Sequence, residues 1–248
     1  MEYFDIFLMW QGWVYLLILT VLEVVLGIDN IIFISIITDV LPLNKKRKAR
    51  NIGLSLALII RLILLAAVVW LMQLTKPLFP QFDQHFSVQS IILLVGGLFL
   101  IYKSTIEMHK SVKGVEENKE SKRKNLSGII LQIVIIDVIF SFDSIISAVG
   151  MTNGLEGDTG KNPIAIIYIS VIISMAIMMA FAGKISNFIS ENPTIKMIAL
   201  SFLVTVGVLL VGEAFRAHIP KGYVYFGLVF SLIVELMNIK MRKNSAVK

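Results

Sequence analysis

Six oxygen-bearing side chains in two short stretches are the residues of this chain best suited to chemistry. They are Glu23, Asp29 and Asn30 in the first stretch and Asp137, Asp143 and Ser144 in the second. Each stretch reads acid, five residues, acid, small polar oxygen donor, then Ile-Ile, and each lies inside a run apolar enough to cross a bilayer. Acids at membrane depth are costly, so their default reading is functional, with partners nearby. All six are hard oxygen donors and no His or Cys falls inside an apolar run, a set that suits Mn²⁺, Mg²⁺ or Ca²⁺ and disfavours Zn²⁺ and copper. Four ionised carboxylates around one divalent cation leave a surplus of about two negative charges in a low dielectric, so at least one is expected to be protonated before metal binds. Metal binding would then release protons, a natural basis for antiport.

Helical geometry constrains how these oxygens meet. Positions seven apart nearly coincide in direction, so Glu23 shares a face with Asn30 and Asp137 with Ser144, while Asp29 and Asp143 lie about 100° to the side. Gly27 and Ser141 are the places where each helix is expected to loosen and bring its oxygens to one point. Backbone carbonyls freed there would be further ligands, as in transporters with discontinuous helices.

The elements that must position these residues are membrane spans. The chain is 56% hydrophobic and 16% charged with a mean hydropathy of +0.82, outside the range of soluble domains. Its 248 residues have room for roughly seven spans of about 20 residues, and the apolar runs place them near 13–38, 52–74, 89–105, 127–151, 164–182, 197–215 and 223–239. The first run is too long and too acidic for a signal peptide, and Trp10, Trp13 and Tyr15 sit where an interfacial aromatic belt belongs. Residues 75–88 and the glycine-rich 152–163 read as loops, 183–196 as a short loop, and the lysine-rich 108–125 as a solvated linker. The stripe Met175, Met178 and Met179 reads as packing. No cysteine is present, which excludes disulfides, thiolate metal sites and thiol catalysis. The net charge of +6 reflects cytoplasmic loops and not nucleic-acid binding.

Of the 23 Lys and Arg, 18 fall in the loops at 39–51, 103–126, 183–196 and 240–248, and four in the alternate set. Positive residues favour the cytoplasm, so the N-terminus is expected outside, the C-terminus inside, and the number of spans odd. Spans 1 and 4 must then run in opposite directions. The expected fold is an all-α polytopic bundle built from inverted three-helix repeats, residues 1–126 with a cytoplasmic linker and 127–248 with a leftover seventh span. Such repeats place a substrate site near the membrane midplane at their interface. No cofactor is expected.

Arg61, Glu213, His218 and Glu235 are secondary candidates. Arg61, in span 2, is expected to neutralise part of the acidic site or Glu235. Glu235 and Asn238, one turn apart in span 7, could form a second polar site or inner gate. Glu213 and His218, near the outer end of span 6, would suit an external release site. Lys103 and Glu107, four apart, read as an ion pair at a helix end.

The sequence resembles the TerC family of integral membrane proteins. The likeness rests on Leu22-Glu23-x-x-Leu26-Gly27-x-Asp29-Asn30, Lys48-x-Arg50-x-x-Gly53, Arg61, Tyr102-Lys103, Glu107 and Asp137-x5-Asp143-Ser144. It continues in His218-Ile219-Pro220-Lys221-Gly222-Tyr223, Phe230-Ser231 and Glu235. The resemblance implies about seven helices in the cell membrane, efflux of Mn²⁺ for bacterial members, an association with tellurite resistance, and an ion carried by the acids of the first and fourth spans. An exporter of divalent metal working by exchange with protons is therefore expected. The alternatives are a non-transporting partner of membrane insertion or secretion machinery, an exporter of amino acids or another small solute, and an intramembrane aspartyl protease. The protease is disfavoured because Gly27-Ile28-Asp29 lacks the Gly-x-Gly-Asp pattern, so no enzymatic activity is expected.

Overall fold

The structure, a computed structural model, describes residues 2–39, 41–67, 77–79, 83–113, 126–217 and 220–245. A 3₁₀ helix (Glu2–Leu8) precedes α1 (Trp10–Leu26), and Gly27 separates α1 from α2 (Ile28–Asp39). Then follow α3 (Leu43–Ala66), β1 (Pro77–Phe79), β2 (Asp83–Ser87), α4 (Val88–Lys113), α5 (Leu126–Thr159), α6 (Ile164–Glu191), α7 (Pro193–Ala214) and α8 (Lys221–Ser245). With α1 and α2 taken as one span, seven helices among the described residues are long and apolar enough to cross a bilayer. The fold is an all-α polytopic bundle. The exception is the antiparallel pair β1 and β2, which joins Pro77 to Ser87 and Phe79 to Asp83 where the sequence suggested an irregular loop.

The helices outrun the apolar runs that announce them. The basic stretch Lys45 to Arg50 is the first part of α3, α5 continues to Thr159 through most of the expected glycine-rich loop, and the expected loop 183–196 shrinks to Asn192 between α6 and α7. An apolar run ends where the hydrocarbon ends, but helical hydrogen bonding does not, and α6 at 28 residues is about 42 Å long against a core of about 30 Å. Lys, Glu and Ser at such ends continue a helix at little cost. What stops α6 is the Asn192-Pro193 pair, with Pro193 in the first turn of α7, where its missing N–H needs no partner.

Two compact units emerge, Met1–Lys76 with Lys124–Ser186, and Pro77–Arg123 with Asn187–Lys248. The first holds α1, α2, α3, α5 and most of α6; the second holds the strand pair, α4, α7 and α8. Each unit therefore draws helices from both halves of the chain, 1–126 and 127–248.

In the first unit α2 is enclosed, with every residue from Asp29 to Thr38 buried. It carries Asp29, Asn30, Ser35 and Thr38, polar groups that are costly against lipid and therefore belong inside a bundle. Its hydroxyls turn inward on the helix itself, Ser35 donating to the Ile31 carbonyl and Thr38 to that of Ile34. Met175 and Met178 of α6 are buried packing residues.

In the second unit α4 and α7 meet at Gly97 and Gly207. A Cβ on Gly97 would lie 2.6 Å from the Gly207 carbonyl oxygen, and one on Gly207 would lie 2.8 Å from Ile101 and 2.9 Å from the Gly97 carbonyl oxygen. Small residues at a crossing let membrane helices approach this closely. Gly207→Leu is expected to force the pair apart and cost about 1–3 kcal/mol, read as a lower melting temperature in detergent; an unchanged melt would refute the close crossing. Lys103 and Lys110 flank Glu107 at 3.5 and 3.1 Å, the helix-end ion pair anticipated above. By contrast α8 exposes Tyr223, Phe226, Phe230 and Met237 along its length, side chains suited to lipid.

Candidate ion site

Within the first unit the two acidic stretches meet. Asn30, from the first, donates through Nδ2 to Asp137 Oδ1, from the second, at 3.0 Å. Arg61 of α3 lies between them and reaches both acids. Its Nη1 donates to Glu23 Oε2 at 2.8 Å, Nη2 to Asp137 Oδ1 at 3.3 Å, and Nε to Ser141 Oγ at 2.8 Å. Ser141 Oγ in turn donates to Asp137 Oδ2 at 3.1 Å, one turn along the same face of α5. Glu23 is 1% exposed, and Asp137 and Arg61 each 2%. Water does not screen these charges, so each is strongly bound to its partners and costly to leave alone.

Local sequence explains the placement. Gly27 ends α1 with its N–H shared between the carbonyls of Glu23 and Val24, at 2.9 and 3.2 Å, and its own carbonyl accepts from Ile31 at 3.1 Å. Met178 Sδ occupies the place a Cβ on Gly27 would take, so any larger residue there must displace the methionine. The interruption expected at Gly27 is present, but the Glu23 and Val24 carbonyls stay bonded and are not freed as ligands. At Ser141 no interruption occurs, since α5 runs unbroken from Leu126 to Thr159. The hydroxyl there bridges Arg61 and Asp137, a role the sequence reading missed, although its spacing of four from Asp137 was the available signal.

The other sequence candidates divide. Asp29 is buried in the first turn of α2. Ser144 is buried, and its hydroxyl donates to the Ser141 carbonyl at 3.3 Å. Asp143 belongs to α5, and its side chain lies outside the described residues. Asn30 Oδ1 is buried without a hydrogen-bond partner among the described residues, a neutral oxygen available to a cation. Of the two partners expected for Arg61, the acidic site is the one it has. Glu235 instead accepts from Thr194 Oγ1 and from Asn238 Nδ2. Glu213 pairs with Lys221 at 3.3 Å; both it and Glu235 belong to the second unit. His218 lies outside the described residues. Among the described residues, no three His, Cys, Asp or Glu come together as a group that could hold a metal ion; the residues brought together are Glu23, Asn30 and Asp137, around a guanidinium.

Residues 8–247 match the integral membrane protein TerC family. The chain belongs to that family. Among curated proteins, this TerC protein is 45% identical over 235 residues to the UPF0053 inner membrane protein YgdQ of Escherichia coli strain K12, covering 94% of this chain and 95% of that one. A UPF0053 protein of Haemophilus influenzae is 43% identical over 235 residues, again 94% of this chain. The UPF0053 inner membrane protein YoaE of E. coli K12 is 43% identical over 234 residues, which make up 43% of its own length. No solved structure matches the TerC chain.

Proposed function

We propose that this TerC protein is a secondary transporter that exports divalent metal cations, Mn²⁺ foremost, from the cytoplasm in exchange for protons. The observation that carries this reading is the Asn30–Asp137 contact, which joins the two acidic stretches across a sequence separation of 107 inside a bundle of membrane-length helices. In this reading Glu23, Asn30 and Asp137, with Asp29, Asp143 and Ser144 of the same two stretches of sequence, are the hard oxygens of the kind Mn²⁺, Mg²⁺ and Ca²⁺ accept. A dication brought among the acids displaces a proton held by one that Arg61 does not neutralise, which couples metal outflow to proton inflow. Basic residues orient the bundle with its N-terminus outside and C-terminus in the cytoplasm, in the cell membrane, a setting supported by the names of the E. coli relatives, both called inner membrane proteins.

The test is uptake of Mn²⁺, Mg²⁺ and Ca²⁺ into proteoliposomes enclosing a pH dye. Mn²⁺ movement against a matching pH change is the expected result, and metal-independent dye traces identical to empty vesicles would overturn it. The full engagement of Arg61 with Glu23, Asp137 and Ser141 favours a second reading. In it the acids serve the bundle's packing, and the protein is a non-transporting partner of insertion or secretion machinery. Such a partner tolerates neutral residues at Asp29 and Asp143, and a carrier does not.

A further inference from the structure

We infer that the Arg61 guanidinium is a built-in competitor of the transported cation: it and a divalent metal claim the same carboxylate oxygens and exclude each other. This inference rests on the transport reading and specifies how its site is controlled. Three donor nitrogens of one side chain are spent on Glu23 Oε2, Asp137 Oδ1 and Ser141 Oγ, and Ser141 closes the remaining oxygen of Asp137. A metal bound to Glu23 Oε2 and Asp137 Oδ1 sits about 2.0–2.6 Å from each, and those two oxygens already hold guanidinium N–H groups at 2.8 and 3.3 Å. Two cations cannot share that space where burial removes screening water. Binding of metal therefore requires the guanidinium to leave both acids, and departure of metal lets it return.

The carboxylates stand on α1 and α5 and the arginine on α3, so the exchange of one cation for the other loosens and remakes the attachment of α3 to its neighbours. The guanidinium also keeps the acids neutralised between transport cycles, because two buried acids without a counter-ion are costly. Asn30 stays positioned throughout by its bond to Asp137, with Oδ1 buried and open to a ligand.

The test uses the full-length protein purified in detergent, with Mn²⁺ as the titrant in calorimetry and the melting temperature as a second readout. Arg61→Lys retains a positive charge but not the three-pronged hold, and is expected to bind Mn²⁺ about tenfold more tightly than wild type. Arg61→Ala is expected to gain far more thermal stability from Mn²⁺ than wild type does. Methylguanidinium ion, added as a probe, should stabilise Arg61→Ala and weaken its Mn²⁺ affinity in proportion to concentration, while leaving wild type unaffected. Weaker Mn²⁺ binding in Arg61→Lys, or methylguanidinium without effect on Arg61→Ala, overturns the competition. If Arg61→Ala does not fold, the Arg61→Lys titration decides alone. Mn²⁺ binding by wild type that is lost in Asp29→Asn while Arg61→Lys binds no better than wild type defeats the competition and leaves the transport reading standing. No Mn²⁺ binding by wild type or any variant defeats both.

Discussion

Asp29→Asn and Asp143→Asn are each expected to reduce Mn²⁺ efflux to the rate of vesicles without protein, with the variants present in the membrane at wild-type abundance. The exchange of carboxylate for carboxamide keeps size and removes one negative charge. A dication loses much of its attraction to a site when a charged hard ligand becomes neutral, whereas the packing of α2 around Asp29 is little altered. Asp5→Asn is the comparison, because Asp5 pairs with Lys161 at 3.0 Å with side chains 40% and 39% exposed; its efflux should stay within about twofold of wild type, as exposed pairs contribute little. Efflux measured with a metal-sensitive dye, alongside an immunoblot of membranes, separates loss of transport from loss of protein. If both aspartate variants exported at the native rate, those acids would not carry the ion.

Arg61→Met is expected to destabilise the protein by about 3–5 kcal/mol in the presence of a chelator, because it strands Glu23 and Asp137 as uncompensated acids in the bundle interior. Methionine fills much of the volume of the arginine stem, so the loss reports on charge more than on a cavity. The triple change Arg61→Met, Glu23→Gln, Asp137→Asn is expected to recover most of it, since a buried ion cluster replaced as a whole is often neutral in stability. Denaturant-dependent unfolding in detergent measures both. An Arg61→Met variant as stable as wild type would mean that the contacts at 2.8 and 3.3 Å hold little free energy. The two experiments bear on different links: the first on which oxygens the ion meets, the second on what neutralises the acids.

Particular residues show how far the chain could be read without coordinates. The seven spans and the burial of Glu23, Asp29, Asn30 and Asp137 were legible, because hydrophobicity over about 20 residues and the cost of isolated charge are local properties. The interruption at Gly27 was legible because a glycine stands between the two acids of the first stretch. The sequence points to a second loosening at Ser141, which sits instead within an unbroken helix. A serine disturbs a helix only when its hydroxyl competes with the backbone, and here the Arg61 Nε and Asp137 take it up. Helix ends were underestimated wherever lysine, glutamate or serine carried the helix beyond the apolar run, as at Lys45 to Arg50 and at Asn187 to Glu191.

By itself, then, the sequence determined that this is a polytopic membrane protein with acidic stretches matched in two of its apolar helices, since apolar length and residue order carry that information without reference to packing. Only the tertiary structure decided that α3 delivers Arg61 onto Glu23 and Asp137, that Ser141 and Asn30 complete the net, and that each compact unit mixes helices from both halves of the chain. Those outcomes depend on which helix faces meet, and a face is chosen by the whole bundle's competition to bury charge and fill space, not by any one segment's composition.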